Sequence, residues 1–332
     1  MTELRRGLVA LAAGLLVAGL PGVAAAQPKP RVWRVGVLRA GLAPLSPADL
    51  QVVNLQKALR ELDYEEGRNL VIERRYAETD IARLPGLARE LVQARADVIV
   101  AVGSAAARAA RDVSGSVPIV VFGNFDPVAI GLARTLARPG GNLTAVLVAP
   151  DGTLAGKRLE LLKAAVPAAS RIALLAPDDE PAFRLQLQET RKAAAALGLN
   201  LTVTEVRGGD YAGAFATLAT EKPGALLVGG HTYFMTDRQQ IIALAAKYRL
   251  PAMYEWREQA QDGGFMAYST SLYGLYQRIA SHIDRIFKGT NPGDIPIEQP
   301  TRFELVVNLK TAKALGVVIS PALRLQVDEA IE

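Results

Sequence analysis

The chain has 332 residues, half of them hydrophobic, a formal net charge of +5 and no cysteine. That length supplies material for two ordinary domains, each able to bury a core without disulfides. The absence of cysteine excludes a thioether lipid anchor and a thiol nucleophile, and charges scattered as mixed Lys/Arg and Asp/Glu lack the basic stripe of a nucleic-acid groove.

The first 26 residues differ from the rest. Arg5 and Arg6 precede an apolar run from Leu8 to Leu20, and Ala24-Ala25-Ala26 stands before Gln27. A positive start, a short apolar stretch and small residues at a cleavage point predict a secretory signal peptide at 1–26. A membrane anchor is the other reading, but the run falls short of the roughly 20 apolar residues that span a bilayer. Leu4 before Arg5-Arg6 fits a twin-arginine signal poorly, so the general secretory route is expected.

After this segment, short β-branched or apolar runs alternate with stretches of helical period, the mark of βα units and a parallel sheet. Strands are predicted at Trp33–Leu38, Leu70–Tyr76, Asp97–Val102, Pro118–Phe122 and Leu143–Val148. Further strands are predicted at Arg171–Ala176, Leu201–Val206, Ala225–Val228, Pro251–Tyr254, Phe265–Tyr268 and Phe303–Asn308. Helices are expected between most of them, at Pro47–Leu62, Asp80–Gln93, Leu154–Ala165, Phe183–Leu197, Thr236–Tyr248 and Leu272–Phe287 among others, with two short helices after Leu309. The alternation predicts a doubly wound α/β fold. Open sheets rarely exceed about ten strands, so two sheets are expected. Arg138-Pro139-Gly140-Gly141-Asn142 and Asp262-Gly263-Gly264 break the pattern, and the long helix after the second break suggests, without proving, that the chain crosses between lobes more than once.

Ligands of open parallel sheets bind outside the carboxyl ends of the strands, so each strand-to-helix junction is a candidate site. At Val102-Gly103-Ser104-Ala105, Gly103 allows a tight turn and Ser104 reads as a helix N-cap, with or without a ligand on the exposed N–H groups. At Phe122-Gly123-Asn124-Phe125-Asp126-Pro127, Asp126 and Pro127 read as N-cap and first residue of a following helix, which leaves Asn124 freer to meet a ligand. Second-half junctions lie at Pro177-Asp178-Asp179-Glu180, Gly230-His231-Thr232-Tyr233, Tyr254-Glu255-Trp256 and Tyr268-Ser269. Aromatic residues crowd the stretch from Tyr233 to Tyr276. Tyr233, Tyr254, Trp256 and Tyr268 are candidates for a wall against a flat or apolar ligand, whereas Tyr248, Phe265, Tyr273 and Tyr276 read as packing residues.

Catalytic equipment is sparse. His231 and His282 are the two histidines, His231 lies at a junction without a second metal ligand beside it, and His282 lies mid-helix. No G-x-S-x-G, H-E-x-x-H or phosphate-loop motif occurs, and no cofactor or metal is expected. Carboxylate chemistry at Glu255 keeps an exported enzyme as a minor alternative.

Several stretches resemble ABC transporter substrate-binding proteins of the tryptophan/tyrosine-type (TrpX-like) group. They are Leu62-Asp63-Tyr64 with Glu66-Gly67-Arg68-Asn69, Phe125-Asp126-Pro127-Val128 with Gly131-Leu132, and Arg138-Pro139-Gly140-Gly141-Asn142-Leu143-Thr144. Lys157-Arg158-Leu159-Glu160-Leu161-Leu162, Pro251-Ala252-Met253-Tyr254-Glu255-Trp256-Arg257 and the run Phe303–Ala312 continue the likeness in the same order. The resemblance implies the type I periplasmic-binding-protein fold: two Rossmann-like lobes, three crossovers and a ligand in the cleft. The crossovers would fall near Leu143–Val148, Phe265–Ser269 and Phe303–Asn308, giving lobes of 31–146 plus 270–300 and 147–268 plus 302–332.

By the same resemblance, Ser104 and Ala105 hold a ligand's acidic end, Asn124 and Asp126 match the aspartate-proline turn, and Tyr254 and Glu255 match the second-lobe loop. Arg39-Ala40-Gly41-Leu42 and Gly230-His231-Thr232 depart from common family patterns, so no relative's ligand transfers directly. The implied function is capture of a small organic molecule, an amino acid or an aromatic or carboxylate compound, by a periplasmic monomer. The implied partner is an ABC permease in the inner membrane. A membrane receptor in place of a permease is the alternative partner.

Overall fold

The computed structural model describes residues 31–41, 49–78, 80–177 and 183–332. The expected signal peptide, Leu42, the start of the expected helix at Pro47 and the Asp178-Asp179-Glu180 junction lie outside the described residues.

The first lobe runs β1 (Trp33–Arg39), α1 (Leu50–Arg60), β2 (Leu70–Tyr76), α2 (Leu84–Gln93), β3 (Val98–Val102), α3 (Ser104–Ser114), β4 (Ile119–Gly123) and β5 (Leu143–Leu147). Its sheet is wholly parallel in the order β2-β1-β3-β4-β5. Every residue of β3, β4 and β5 is buried, because helices cover both faces. That is why these strands read as unbroken apolar runs rather than alternating ones.

The second lobe runs α4 (Thr153–Ala165), β6 (Arg171–Pro177), α5 (Arg184–Ala196), β7 (Asn200–Val206), α6 (Tyr211–Glu221), β8 (Ala225–Val228), α7 (Thr232–Thr236), α8 (Arg238–Lys247), β9 (Ala252–Tyr254), α9 (Arg257–Gln261) and β10 (Met266–Ser269). The order β7-β6-β8-β9-β10 repeats the winding of the first lobe. Each sheet has a separate apolar cluster on each face, four clusters in all. The winding reverses beside β1 in one lobe and beside β6 in the other, which places a crevice at the carboxyl ends of both sheets.

The chain then returns to the first lobe. In α10 (Leu272–Phe287), Leu272, Leu275, Tyr276, Ile279, Ile283 and Ile286 share one stripe and are buried in the first-lobe core. Trp33 stacks on Phe287 at 4.0 Å, and the Tyr64 hydroxyl donates to Asp284 Oδ1 at 2.8 Å. Beyond α10, Glu298 pairs with β5: its N–H donates to Ala145 O at 3.0 Å and its carbonyl accepts from Leu147 N at 2.9 Å. The last segment adds β11 (Glu304–Asn308), α11 (Leu309–Leu315), α12 (Pro321–Arg324) and β12 (Glu329–Ile331) to the second lobe, with β11 antiparallel to β10. The chain thus passes between lobes in three stretches, at 148–152, 270–271 and 299–303.

Three elements differ from expectation. No helix follows Asp126-Pro127. The Asp126 carboxylate accepts from Val128 N at 2.8 Å and Ala129 N at 3.1 Å, but Gly131 at φ +73° ends the turn at once. The helix expected at Thr236–Tyr248 is α8, and a short helix that was not expected, α7, precedes it, the two separated at Asp237, whose carboxylate takes the Tyr211 hydroxyl at 2.6 Å. The edge strand β12, only three residues long, was not expected. Among the described residues no helix is long and apolar enough to cross a membrane.

Candidate ligand-binding site

The first-lobe wall comes from strand ends. Gly103 leaves β3 at φ +90°, a backbone that side chains adopt only with strain, and it is Gly103 rather than Ser104 that stands at the N-cap of α3. Ser104 is instead the first helical residue, so the first turn of α3 lies at the cleft. Gly123 ends β4 and Asn124 follows it, and Gln51 comes from the first turn of α1.

The second-lobe wall depends on side chains. The β8 exit supplies Gly230, His231 and Thr232, and the β9 exit supplies Glu255 and Trp256. Gln186, on the buried face of α5, clamps Gly230 from both sides: its Nε2 donates to Gly230 O at 2.8 Å and its Oε1 accepts from Gly230 N at 3.1 Å. Arg158 of α4 stands behind Glu255. Its Nη2 donates to Glu255 Oε1 at 2.9 Å and its Nε to Tyr268 O at 2.8 Å, with the two side chains only 1% and 5% exposed. An ion pair so buried needs further hydrogen bonds to be tolerated, and the Tyr268 carbonyl supplies one to the guanidinium.

The walls meet. Asn124 Nδ2 donates to the same Glu255 Oε1 at 3.0 Å, a bond from one lobe to the other. A carboxylate accepts only, so this bond fixes the amide with its nitrogen toward Glu255. Asn124 Oδ1 is then left buried with no hydrogen-bond partner among the described residues. Trp256 and Met235 of the second lobe insert into the first-lobe cluster, with the Trp256 ring 6.2 Å from that of Phe122.

Two cavities result, and Ser104 borders both. The inner one, about 40 Å³, lies among Gln51, Asn124, His231, Glu255 and Trp256. The outer one, about 790 Å³, opens between α3 and the α6–α7 side of the second lobe and is lined by Ala105, Tyr211, Tyr233 and Phe234. Asp237 also faces it. Burial pushes that carboxyl above its ordinary range, although the Tyr211 hydroxyl and the Arg39 guanidinium pull it down.

Of the residues singled out in the sequence, Ser104, Asn124, His231, Glu255 and Trp256 line the inner cavity, and Ala105 and Tyr233 the outer one. The others stand elsewhere. Asp126 caps its own turn, and Tyr254 is buried in the second-lobe core. The Tyr268 ring faces Phe303 at 6.1 Å, and Ser269 is buried at the end of β10. Sequence reasoning missed Gln51, Gln186 and Arg158. Arg158 did leave a signal: it occupies the apolar stripe of α4 between Leu154 and Leu162, a place where a charge needs a buried partner. Among the described residues no three metal-ligating side chains converge.

The sequence matches the family described as ABC transporter substrate binding protein over residues 46–331. A tyrosine-binding protein of Clostridioides difficile (strain R20291) is 23% identical over 259 residues, 78% of this chain and 74% of that protein. Among solved structures, the ABC domain in complex with L-Trp from Streptococcus pneumonia aligns with TM-score 0.79 at 23% identity, covering 90% of this chain and 100% of that one. The ligand-free, open structure of a substrate binding protein with adhesive properties from Clostridium difficile aligns with TM-score 0.59 at 21% identity, covering 90% and 99%.

Proposed function

The chain belongs to the ABC transporter substrate binding protein family, and from that premise we infer that it captures a zwitterionic amino acid between its lobes and delivers it to an ABC importer. The observation that carries this reading is the pairing of two hydrogen-bond acceptors where the walls meet, the Glu255 carboxylate of the second lobe and the unpartnered Asn124 Oδ1 of the first. Two acceptors side by side suit the three donors of an ammonium group. Arg158 neutralises Glu255, so the wall carries no net charge and a cation without an acidic group gains little there. The ligand's carboxylate lies at the N-terminal turn of α3, where Ser104 joins the two cavities.

The inner cavity, about 40 Å³, suits a charged head. The body of the ligand extends into the outer cavity, against Tyr233 and Phe234. An aromatic or large apolar side chain suits that wall, and L-tyrosine or L-tryptophan, the ligands named for two relatives, are of this class. The lobes, 31–146 plus 270–300 and 147–268 plus 302–332, swing as units about the three linking stretches. A ligand closes them only by its better affinity for the closed form. The signal peptide directs the protein to the periplasm, where it works as a monomer with a permease.

Calorimetric titration tests the reading. L-Tryptophan, L-tyrosine and L-leucine are compared with indole-3-propionate, which keeps the ring and carboxylate but lacks the ammonium group. Heat at micromolar affinity, about −8 kcal/mol, is expected with at least one amino acid and none with the deamino compound. Equal binding of the two, or no heat and no thermal shift with any amino acid, counts against it.

A further inference from the structure

We propose that Glu298 is a positioning residue for ligand capture, a latch that holds the three linking stretches in the arrangement where the cleft walls touch. The proposal rests on the reading of cleft closure above and adds where that closure is set, at a residue that lines neither cavity of the cleft. Glu298 stands one residue before the third linker, and its contacts reach the first-lobe elements that carry the other two. Its backbone pairs with Ala145 and Leu147 of β5, the strand that runs into the first linker. Its side chain reaches α10, the helix that the second linker enters. Oε2 accepts from Arg278 Nη1 at 2.6 Å, and Oε1 meets His282 Nε2 at 3.0 Å.

The histidine's role follows from its surroundings. His282 is fully buried, and Nδ1 has no hydrogen-bond partner among the described residues. A carboxylate oxygen facing Nε2 requires a proton on that nitrogen, so the neutral ring donates to Glu298 and holds the carboxylate from the core side. Arg278 holds it from the solvent side. Beside this pair a cavity of about 400 Å³ separates Thr270 of the second linker from Thr301 and Arg302 of the third. Side-chain bonds through Glu298 tie α10, which the second linker enters, to the residue next to the third linker.

The latch is made in the same form that joins Asn124 to Glu255 across the cleft. Releasing it therefore shifts the lobes toward separation. Apparent affinity falls with the fraction of molecules in the binding-competent form.

The chain contains no cysteine, so Asp112→Cys and Arg207→Cys place a spin-label pair on opposite sides of the cleft mouth, at exposed side chains. Pulsed distance measurement on the ligand-free protein reads the latch without any ligand. Glu298→Ala and Arg278→Ala are expected to lengthen and broaden the distance distribution, and Glu298→Gln, which keeps the acceptor for His282, to restore it in part. L-Tryptophan affinity should weaken roughly tenfold in Glu298→Ala. Unchanged distances in Arg278→Ala and Glu298→Ala overturn the proposal, as does a lowered melting temperature with parental distances. If Glu298→Ala does not fold, Arg278→Ala, a half-exposed site, decides alone. If the parent protein binds no L-tryptophan, the functional reading fails for that ligand while the distances still judge the latch.

Discussion

The two walls of the cleft are made differently. The first-lobe wall is built mainly from the ends of buried parallel strands, Gly103 with the first turn of α3 and Gly123, to which Asn124 and Gln51 add side chains. The second-lobe wall is an assembly of side chains from separate elements, Arg158 of α4, Gln186 of α5, and Glu255 and Trp256 after β9. A wall of backbone offers donors whose positions the fold fixes, suited to any carboxylate. A wall of side chains can vary its shape and charge without touching the sheet, so selectivity belongs on the second lobe.

Breaking the buried pair should give the largest effect. Arg158→Met leaves the Glu255 carboxylate buried beside a single amide donor, and loss of about 3 to 5 kcal/mol is expected, read by urea unfolding. The double variant Arg158→Met/Glu255→Leu should recover most of it, because no uncompensated charge remains. A single-variant cost near that of a surface change, about 0.5 kcal/mol, would mean that the second wall is not built around this pair.

The two glycines sharpen the contrast. A Cβ on Gly230 would lie 2.8 Å from Asn124 Nδ2 and 2.9 Å from both Gln186 Oε1 and Glu255 Oε1. Gly230→Ala should cost about 1 to 3 kcal/mol through crowding, and Gln186→Ala in the same chain should relieve part of that cost. Gly103→Ala should cost a similar amount through its φ of +90°. No neighbouring truncation should relieve it. A double-mutant cycle on melting curves separates the two kinds of wall.

Acid sensitivity should come from the first-lobe side. Burial holds the His282 imidazole below its ordinary value of 6.5, although the Glu298 carboxylate pulls it up and Arg285 and Arg278 lower it further. Below pH 6.5 the unfolded chain takes up a proton that the folded chain refuses. Stability is therefore lost as pH falls through that window, by at most about 1.4 kcal/mol per pH unit for this one group. His282→Gln should flatten the slope between pH 6.5 and 5. A slope unchanged by the substitution assigns the acid sensitivity to other groups.

The smallest expected effect is at Asp126. Asp126→Ala removes a local cap and should cost about 0.5 to 1 kcal/mol with no change in ligand affinity. A measurable loss of affinity would add this turn to the first wall.

The same contrast explains what could be read in the sequence. Buried parallel strands announce themselves as apolar runs, so β2 and β8 match their expected bounds and the other strands differ by a residue or so at an end. The strand-end residues Ser104 and Asn124 followed from that placement. Arg158 and Gln186 did not, because a helix brings them to the cleft from behind and their partners are 97 and 44 residues away. Tyr254 is the last residue of β9 and its ring packs in the second-lobe core, whereas Glu255 and Trp256, past the strand end, reach the cleft. The helix expected after Asp126 had a good cap, but a cap cannot extend a helix past Gly131 at φ +73°.

Solution scattering with and without a saturating amino acid identified by calorimetry tests the central claim most directly. The account predicts a smaller radius of gyration when the ligand is added, and no such contraction in Glu255→Gln at the same ligand concentration. Identical curves in the presence and absence of a ligand that demonstrably binds would contradict it.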